Sequence, residues 1–501
     1  MARISHYCIL SDPLPDGRYV LMNGISGALD VVSPELGAML AEALWNERPE
    51  EANRVVEYLD EASRQQWLER GHLTELSPEQ EREIVVAIAS AMHEQLRRLP
   101  RFLIVPNLDC NYRCTYCFER PLQRTLHVIG ADISYGAGNV VMGLEQVKAV
   151  YACIARIQQE AGHPGGGQII LYGGEPLDSA HREVVKEIVR QGIARGFYFA
   201  AVTNGHHLNE FIELLGRGAI EQVQVSIDGP KHIHDRRRIA IGGGSSFDKV
   251  MTNIRLVLAC TDAEVQIRVH VDPQNIQHFD ELLGIFAAEG WLNHPQVVIY
   301  TNTVYVKDAR GQVCTRMENG DIVRELRRRV ASFSNVYTSA PEFHASLAMR
   351  PVFEEGERYR LRGTYCAANS GMYVFAPDWH VYACWESIGK ACSRLGRYNP
   401  DGTLALDEAM VRRWFERSVA TVPECQRCAY ALVCGGGCAQ YAEYNHGSPY
   451  HPYCDDFQRI FRSTLAHNVT YFLEHGGARP QQIFSAEPTA ELLTTARRDF
   501  S

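Results

Sequence analysis

Three cysteines fall within eight residues: Cys110-Asn111-Tyr112-Arg113-Cys114-Thr115-Tyr116-Cys117. Thiolates are the usual ligands of iron–sulfur clusters, and four would fill a [4Fe–4S] cube. Three leave one iron open, which is what a substrate-binding metal site requires. A zinc knuckle, or a set of buried thiols, is the alternative for this spacing considered alone. A second group lies downstream as Cys425-x2-Cys428-x5-Cys434-x3-Cys438 and then Cys454, preceded by Cys366 and Cys384. Seven thiols at this spacing exceed one zinc site. The remaining five of fifteen cysteines are scattered at 8, 153, 260, 314 and 392. Of these, Cys8, Cys153 and Cys260 read as small buried side chains.

Other polar groups recur between the two cysteine groups. Gly173-Gly174-Glu175-Pro176, Thr203-Asn204-Gly205 and Ser226-Ile227-Asp228-Gly229 are followed by His234, Asp235 and Arg238. Each taken alone is an ordinary turn, and Arg236 and Arg237 read as a solvated basic turn. Their placement is more telling. Strand patterns cover 102–106, 168–172, 197–203, 222–228, 265–272 and 297–300, with helical patterns at 144–157, 180–195, 208–215, 247–258 and 279–289. Six such βα units predict an α/β fold with a parallel sheet, curved or closed like a barrel. Ligands in such folds sit at the C-terminal strand ends. Cys110, the 173–176 turn, the 203–205 turn and 226–229 all fall at those ends. Unrelated motifs would not share one rim.

The chain has 501 residues, which argues for two or three domains. A hydrophobic fraction of 46% and a net charge of −10 fit a globular protein that does not coat nucleic acid or an anionic membrane. No run approaches a membrane span, and the start lacks a basic region followed by an apolar one, so no secretory signal and a cytoplasmic location are expected. Reducing compartments keep thiols free for metals, in line with the clustering. The division expected is 1–75 a small module, 76–100 a linker, 101–303 the barrel, 304–360 a bridging segment, 361–475 a cysteine-rich domain and 476–501 a peripheral tail. In the first module, residues 19–24 and 28–32 predict a hairpin, Ser33-Pro34 opens a helix, and a second helical stretch covers 50–70. Residues 121–143, with Gly130, Gly136, Gly138 and Gly143, read as a loop, and a helix is expected around 322–333.

The CxxxCxxC spacing, with an aromatic before its last cysteine and a strand before its first, resembles the radical S-adenosylmethionine (SAM) superfamily. The downstream cysteines resemble its SPASM extension, so the fold implied is a partial (β/α)6 radical SAM barrel with a C-terminal SPASM domain. The resemblance implies that Cys110, Cys114 and Cys117 hold a [4Fe–4S] cluster whose open iron chelates SAM. Reductive cleavage would then give a 5′-deoxyadenosyl radical, the cofactor supplying the hard chemistry. By the same resemblance Tyr116, Gly173, Gly174, Glu175, Pro176, Ser226, Asp228 and Arg238 contact SAM, with Arg238 on its carboxylate. Cys425, Cys428, Cys434 and Cys454 would hold one auxiliary [4Fe–4S] cluster. Cys366, Cys384 and Cys438 would hold another, making three. Its fourth ligand is open among Cys314, Cys392, a non-cysteine group and none. One departure stands out: the family often has glycine where this chain has Trp379.

Two classes compete within that resemblance. Anaerobic sulfatase maturases commonly carry Asp after the second SPASM cysteine, but here Trp385 and Glu386 follow Cys384, leaving Glu386 as the candidate base. Asp378, His380 and Glu175 are further acid–base candidates, with a surface role favoured for His380. The other class comprises maturases of ribosomally synthesised peptides. Residues 1–75 resemble their winged-helix-like leader-recognition module, which would take an extended leader at a sheet edge and raise the local concentration of the core peptide. The expected reaction is hydrogen abstraction from a precursor peptide and formation of a thioether, C–C or C–O crosslink, with a flavodoxin- or ferredoxin-type electron donor. A radical enzyme acting on a small molecule is a further alternative. An iron–sulfur electron carrier would explain the thiols but not the SAM-contact motifs.

Overall fold

The computed structural model describes residues 2–46, 48–119, 141–163, 165–308, 310–354 and 359–475. Residues 121–140 of the expected loop and the tail after 475 lie outside the described residues. The chain divides into two compact units, one formed by 1–94, 340–366 and 417–501, the other by 95–339 and 367–416.

In the first unit β1 (Arg3–Ile4) pairs with β5 (Leu73–Thr74), while β2 (Cys8–Leu10), β3 (Tyr19–Asn23) and β4 (Leu29–Val32) form an antiparallel sheet in that order. The β3–β4 hairpin is the one expected. Ser33 caps the helix Pro34–Leu44, accepting from Leu36 N, with Pro34 in the first turn. The expected helical stretch at 50–70 is two pieces, a 3₁₀ segment over Pro49–Tyr58 and an α-helix over Glu61–Arg70 capped by Asp60. The residues expected to link modules form the helix Pro78–Arg97, whose Val85, Ile88 and Ala89 are buried. Both faces of the sheet are covered. Leu10 and Leu21 pack with Leu40, Val55 and Trp67, whereas Val20 and Met22 pack on Met349 and Phe353 of the helix Ala340–Glu354 and on Phe461 and Leu465 of Phe457–His475. The sheet is therefore built into a core that sequence-distant helices complete. At its edges, Leu10 O of β2 accepts from Trp45 Nε1 at 3.3 Å and Leu29 O of β4 accepts from Arg70 Nη2 at 2.9 Å.

The second unit is organised by β6 (Arg101–Ile104), β8 (Gly167–Leu171), β9 (Phe197–Thr203), β10 (Ile220–Ser226), β12 (Glu264–Val271) and β13 (Val297–Thr303). These six neighbours are parallel in the order β13-β12-β10-β9-β8-β6, as the alternation of strands and helices predicts. β16 (Val336–Tyr337) extends one side. On the other, β17 (Met372–Phe375) joins β6 in parallel, and β18 (His380–Tyr382), β19 (Arg394–Tyr398) and β20 (Leu404–Leu406) follow antiparallel. β7 (Tyr112–Cys114) and β11 (Arg238–Ala240) make a separate ribbon, and β14 (Tyr305–Lys307) and β15 (Val313–Thr315) a hairpin. Four helices fall within a few residues of expectation, but 208–215 holds only two short 3₁₀ turns. The helix expected near 322–333 runs Asn319–Val330. Among the described residues no helix is long and apolar enough to cross a membrane.

Candidate active site

The cysteine loop follows β6, and the ribbon sets its shape: Arg238 lies opposite Cys114, and Ala240 opposite Tyr112. Tyr112, Cys114 and Ala240 form a small apolar cluster with Cys110 and Cys117 against it. All three thiols therefore face one protected space. Burial pushes each thiol upward, Cys117 to about 12, and the neighbouring Cys114 adds to the effect on Cys110 and Cys117. Bare thiolates are unfavourable there, and a cationic metal centre is the natural counter-charge.

Across the ribbon lies a dense polar network. The Tyr116 hydroxyl donates to Asp228 Oδ2 at 2.5 Å and accepts from Arg238 Nη1 at 2.7 Å. Asp228 is fully buried and also takes hydrogen bonds from His270 and, at 3.4 Å, from Arg237 Nε. Burial drives its carboxyl up, but His270, Arg238 and Arg237 outweigh that and hold it well below the carboxylate range. Arg237 also donates to Asp272 at 2.8 Å and lies over the Tyr116 ring. Here the expectation of a solvated basic turn fails for Arg237, which is 7% exposed; Arg236 does lie in solvent. Ser226 ends β10 two residues before Asp228 and is buried. Sequence reading missed Arg237, His270, Asp272 and Asn275. The available signal was β12, where Arg268 and His270 alternate with buried Val265, Ile267 and Val269.

Glu175 sits at the end of β8 with 1% exposure. It accepts from Thr203 Oγ1 at 2.5 Å, Asn204 N at 2.6 Å and Leu177 N at 2.9 Å, tying β8 to β9. Burial raises it to about 7 against these donors. The two preceding glycines answer to the chain itself. A Cβ on Gly173 would stand 2.4 Å from Asn107 O, and one on Gly174 would stand 2.0 Å from Asp109 O. They let the 173–176 turn lie against the backbone leading into Cys110.

Beside this turn Tyr172 meets Trp385, ring centroids 5.8 Å apart, in the 3₁₀ turn Trp385–Ser387 that follows Cys384. Glu386 is half-buried there, raised by burial to about 7 despite Lys390, Lys307 and Arg268 nearby. Glu119 feels Glu386 and Glu175 and is raised by burial to about 8. Asp378, expected as an acid–base candidate, instead accepts from His380 N and Tyr382 Oη and shapes the β17–β18 turn. In that turn Trp379 has φ 64°, which explains why glycine suits the position. Cys8 and Cys153 are buried as expected. Cys260 is not: it ends its helix on the exposed side.

In the first unit Cys425, Cys428, Cys434 and Cys454 come together, each felt by Cys425 or Cys434. Cys366 and Cys438 lie near Arg417 in the same unit, and Cys384 and Cys392 belong to the other. Cys314 is exposed on β15.

The radical SAM superfamily pattern matches residues 104–284. The chain carries a radical SAM domain. Over 365 residues, 70% of this chain and 92% of the relative, it is 24% identical to the cysteine-type anaerobic sulfatase-maturating enzyme of Clostridium perfringens (strain 13 / Type A). The same-named enzyme of Clostridium novyi (strain NT) is 26% identical over 182 residues, covering 36% of this chain and less than half, 45%, of that relative. The solved structure of native anSMEcpe with bound AdoMet and Cp18Cys peptide superposes on 80% of this chain and all of its own, with TM-score 0.51 and 17% identity, a likeness of fold. The radical SAM domain makes this chain an enzyme that uses SAM and a [4Fe–4S] cluster. Its trio of thiols, with Cys114 buried and Cys110 and Cys117 half-buried beside Arg238 and an ionised Asp228, fits both.

Proposed function

We propose that this enzyme is a peptide maturase that removes hydrogen from a ribosomally made precursor and closes a crosslink within it. The observation that supports the reading is the make-up of the first module, the antiparallel sheet β2-β3-β4 followed by helices, which is the order of a leader-recognition element that would take an extended leader as an added strand. Cys110, Cys114 and Cys117 would hold the SAM-binding cluster, and Gly173, Gly174, Glu175, Pro176, Ser226, Asp228, Tyr116 and Arg238 would frame SAM. When bound, cluster and SAM supply a 5′-deoxyadenosyl radical. Arg238 offers its planar donor fork to the SAM carboxylate, while Tyr116 and Asp228 hold that arginine in place. Glu175 keeps β8 and β9 together beneath the ligand. Cys425, Cys428, Cys434 and Cys454, and Cys366, Cys384 and Cys438, would hold two auxiliary clusters. Glu386, standing on the rim beside Tyr172, would take the proton released as the new bond forms, and an auxiliary cluster would be the acceptor for the electron released with it.

A second reading, formylglycine formation on a sulfatase-type peptide, is favoured by the clostridial relative that matches 70% of the chain. One experiment separates the two. Reduced, fully loaded enzyme is given SAM with either a short precursor encoded beside its gene or a cysteine-containing sulfatase peptide, and products are read by mass spectrometry. A precursor lacking two hydrogen atoms, with its sulfur retained, supports crosslinking. An aldehyde on the sulfatase peptide, with the precursor untouched, overturns it. Glu386→Gln should still release 5′-deoxyadenosine while forming little crosslink.

A further inference from the structure

Arg417 is one of the largest fully buried side chains in the molecule. Its guanidinium donates to four carbonyls of a single segment: Pro449 O, Gly437 O at 3.1 Å, Gly436 O at 2.7 Å and His451 O at 3.0 Å. That segment starts with Gly435, Gly436 and Gly437, at φ +78°, +89° and +68°. A left-handed run is open to glycine and costly to other residues, and here it turns consecutive carbonyls toward the arginine. The same segment carries the sulfur ligands. Cys434 precedes the glycines, Cys438 follows them, and Gly437 bridges to Tyr453, the neighbour of Cys454. A Cβ placed on Gly436 would lie 3.6 Å from each Arg417 Nη and 3.6 Å from Cys425 Sγ. The guanidinium and that thiol are thus within twice this distance.

The peptide between Gly436 and Gly437 makes the connection specific. Its carbonyl accepts from Arg417, and in a trans peptide the N–H points the opposite way. That N–H, from Gly437, and the N–H of Gly436 lie on the Cys434 side and favour its thiolate. The chain of dipoles runs from guanidinium through amide to sulfur, and each bond polarises the next. Cys425, Cys438, Cys366 and Cys434 lie near enough for their thiolates to favour the cation against its burial.

We propose that Arg417 is a positioning residue that raises the reduction potential of the cluster held by Cys425, Cys428, Cys434 and Cys454, through the Gly436–Gly437 peptide. The proposal rests on reading those four thiols as cluster ligands. The physical reason is direct. Reduction adds negative charge to the cluster, and a fixed buried cation with oriented N–H donors favours the more negative state.

The test uses anaerobically loaded full-length enzyme, with iron counted per chain and midpoint potentials read by spectroscopic titration. Arg417→Lys keeps the charge, Arg417→Gln removes it, and Cys425→Ala reports on ligation. Expected are near-native iron and potential in the Lys variant. In the Gln variant the preference for the reduced cluster should fall at least tenfold, 59 mV for one electron, or the cluster should be lost outright. An unchanged potential in the Gln variant overturns the proposal, as does equal loss of iron from both Arg417 variants, which would mark the fork and not the charge. If Cys425→Ala leaves iron and spectra unaltered, the ligand reading fails, and the proposal falls with it for that separate reason.

Discussion

Tyr116 and Asp228 stand 112 residues apart in sequence, and the tyrosine hydroxyl reaches the carboxylate at 2.5 Å. This contact fastens the cysteine loop to the end of β10. It also completes the shell around Arg238, whose Nη1 donates to the same oxygen.

Tyr116→Phe should therefore separate framing from cluster ligation. The substitution keeps the ring over which Arg237 lies but removes the donor to Asp228 and the acceptor for Arg238. Leaving such buried groups short of a partner costs about 1–3 kcal/mol. If part of that loss is felt in placing SAM, 5′-deoxyadenosine formation falls at least about tenfold, while iron bound to the Cys110 trio is retained. Unaltered turnover of SAM in this variant would remove Tyr116 from the SAM frame.

Gly174→Ala tests why the turn after β8 is made of glycine. The added methyl would stand 2.0 Å from Asp109 O, and backbone on both sides cannot yield as a flexible side chain would. The segment leading to Cys110 must shift. The expected outcome is loss of the cluster at the Cys110 loop, seen as a fall of about four irons per chain. Retention of SAM-dependent chemistry with full iron would show that the loop has slack the packing does not suggest.

The parallel core was legible because β6, β8, β9, β10, β12 and β13 each show a short apolar run ended by turn residues, and local pattern suffices for that. Chemistry at the strand ends was legible for the same reason: motif and strand are adjacent in sequence. What local pattern could not supply is long-range company. Arg237 looks like part of an exposed basic run until Asp228 and Asp272 are brought around it. The first 75 residues read as a free module, yet Met22 packs on Met349 and Phe461, which lie hundreds of residues away. Cys260 fits a buried-thiol pattern only if its helix turns inward at that point, and it does not.

Trp379→Gly addresses the one departure from the family pattern that the backbone explains. At φ 64° a non-glycine residue bears about 1–2 kcal/mol of strain. Against this, the indole lies on Tyr398 with ring centroids 5.0 Å apart, an aromatic pair contributing about 0.5–1.5 kcal/mol beyond burial. These two effects nearly cancel, and what remains is the lost apolar contact of the half-buried indole, about 1–2 kcal/mol. Thermal unfolding of the glycine variant should shift by only a few degrees, and Tyr398 should become more mobile. A large loss of stability would mean that the indole anchors more than its stacking partner.

His234 gives a pH prediction whose sign is fixed by geometry. It is fully buried, and its Nδ1 accepts from Asp228 N at 3.3 Å, which places the remaining proton on Nε2, an atom with no hydrogen-bond partner among the described residues. A second proton would be buried beside Arg238. Burial foremost, helped by Arg238, lowers its folded pKa to about 4 from an ordinary 6.5. The folded state then binds fewer protons than the unfolded one between those values. The imidazole's contribution is complete above about pH 6.5 and declines as pH falls toward 4. The slope is about 1.4 kcal/mol per pH unit for one proton, so the wild-type chain should lose about 2 kcal/mol from this group between pH 6.5 and 5. His234→Asn presents an oxygen to the same N–H but cannot titrate there. Its unfolding free energy, followed by denaturant titration, should decline less steeply by that amount over the same window, whatever its absolute stability. Parallel slopes for the two proteins would mean that His234 is protonated within the fold.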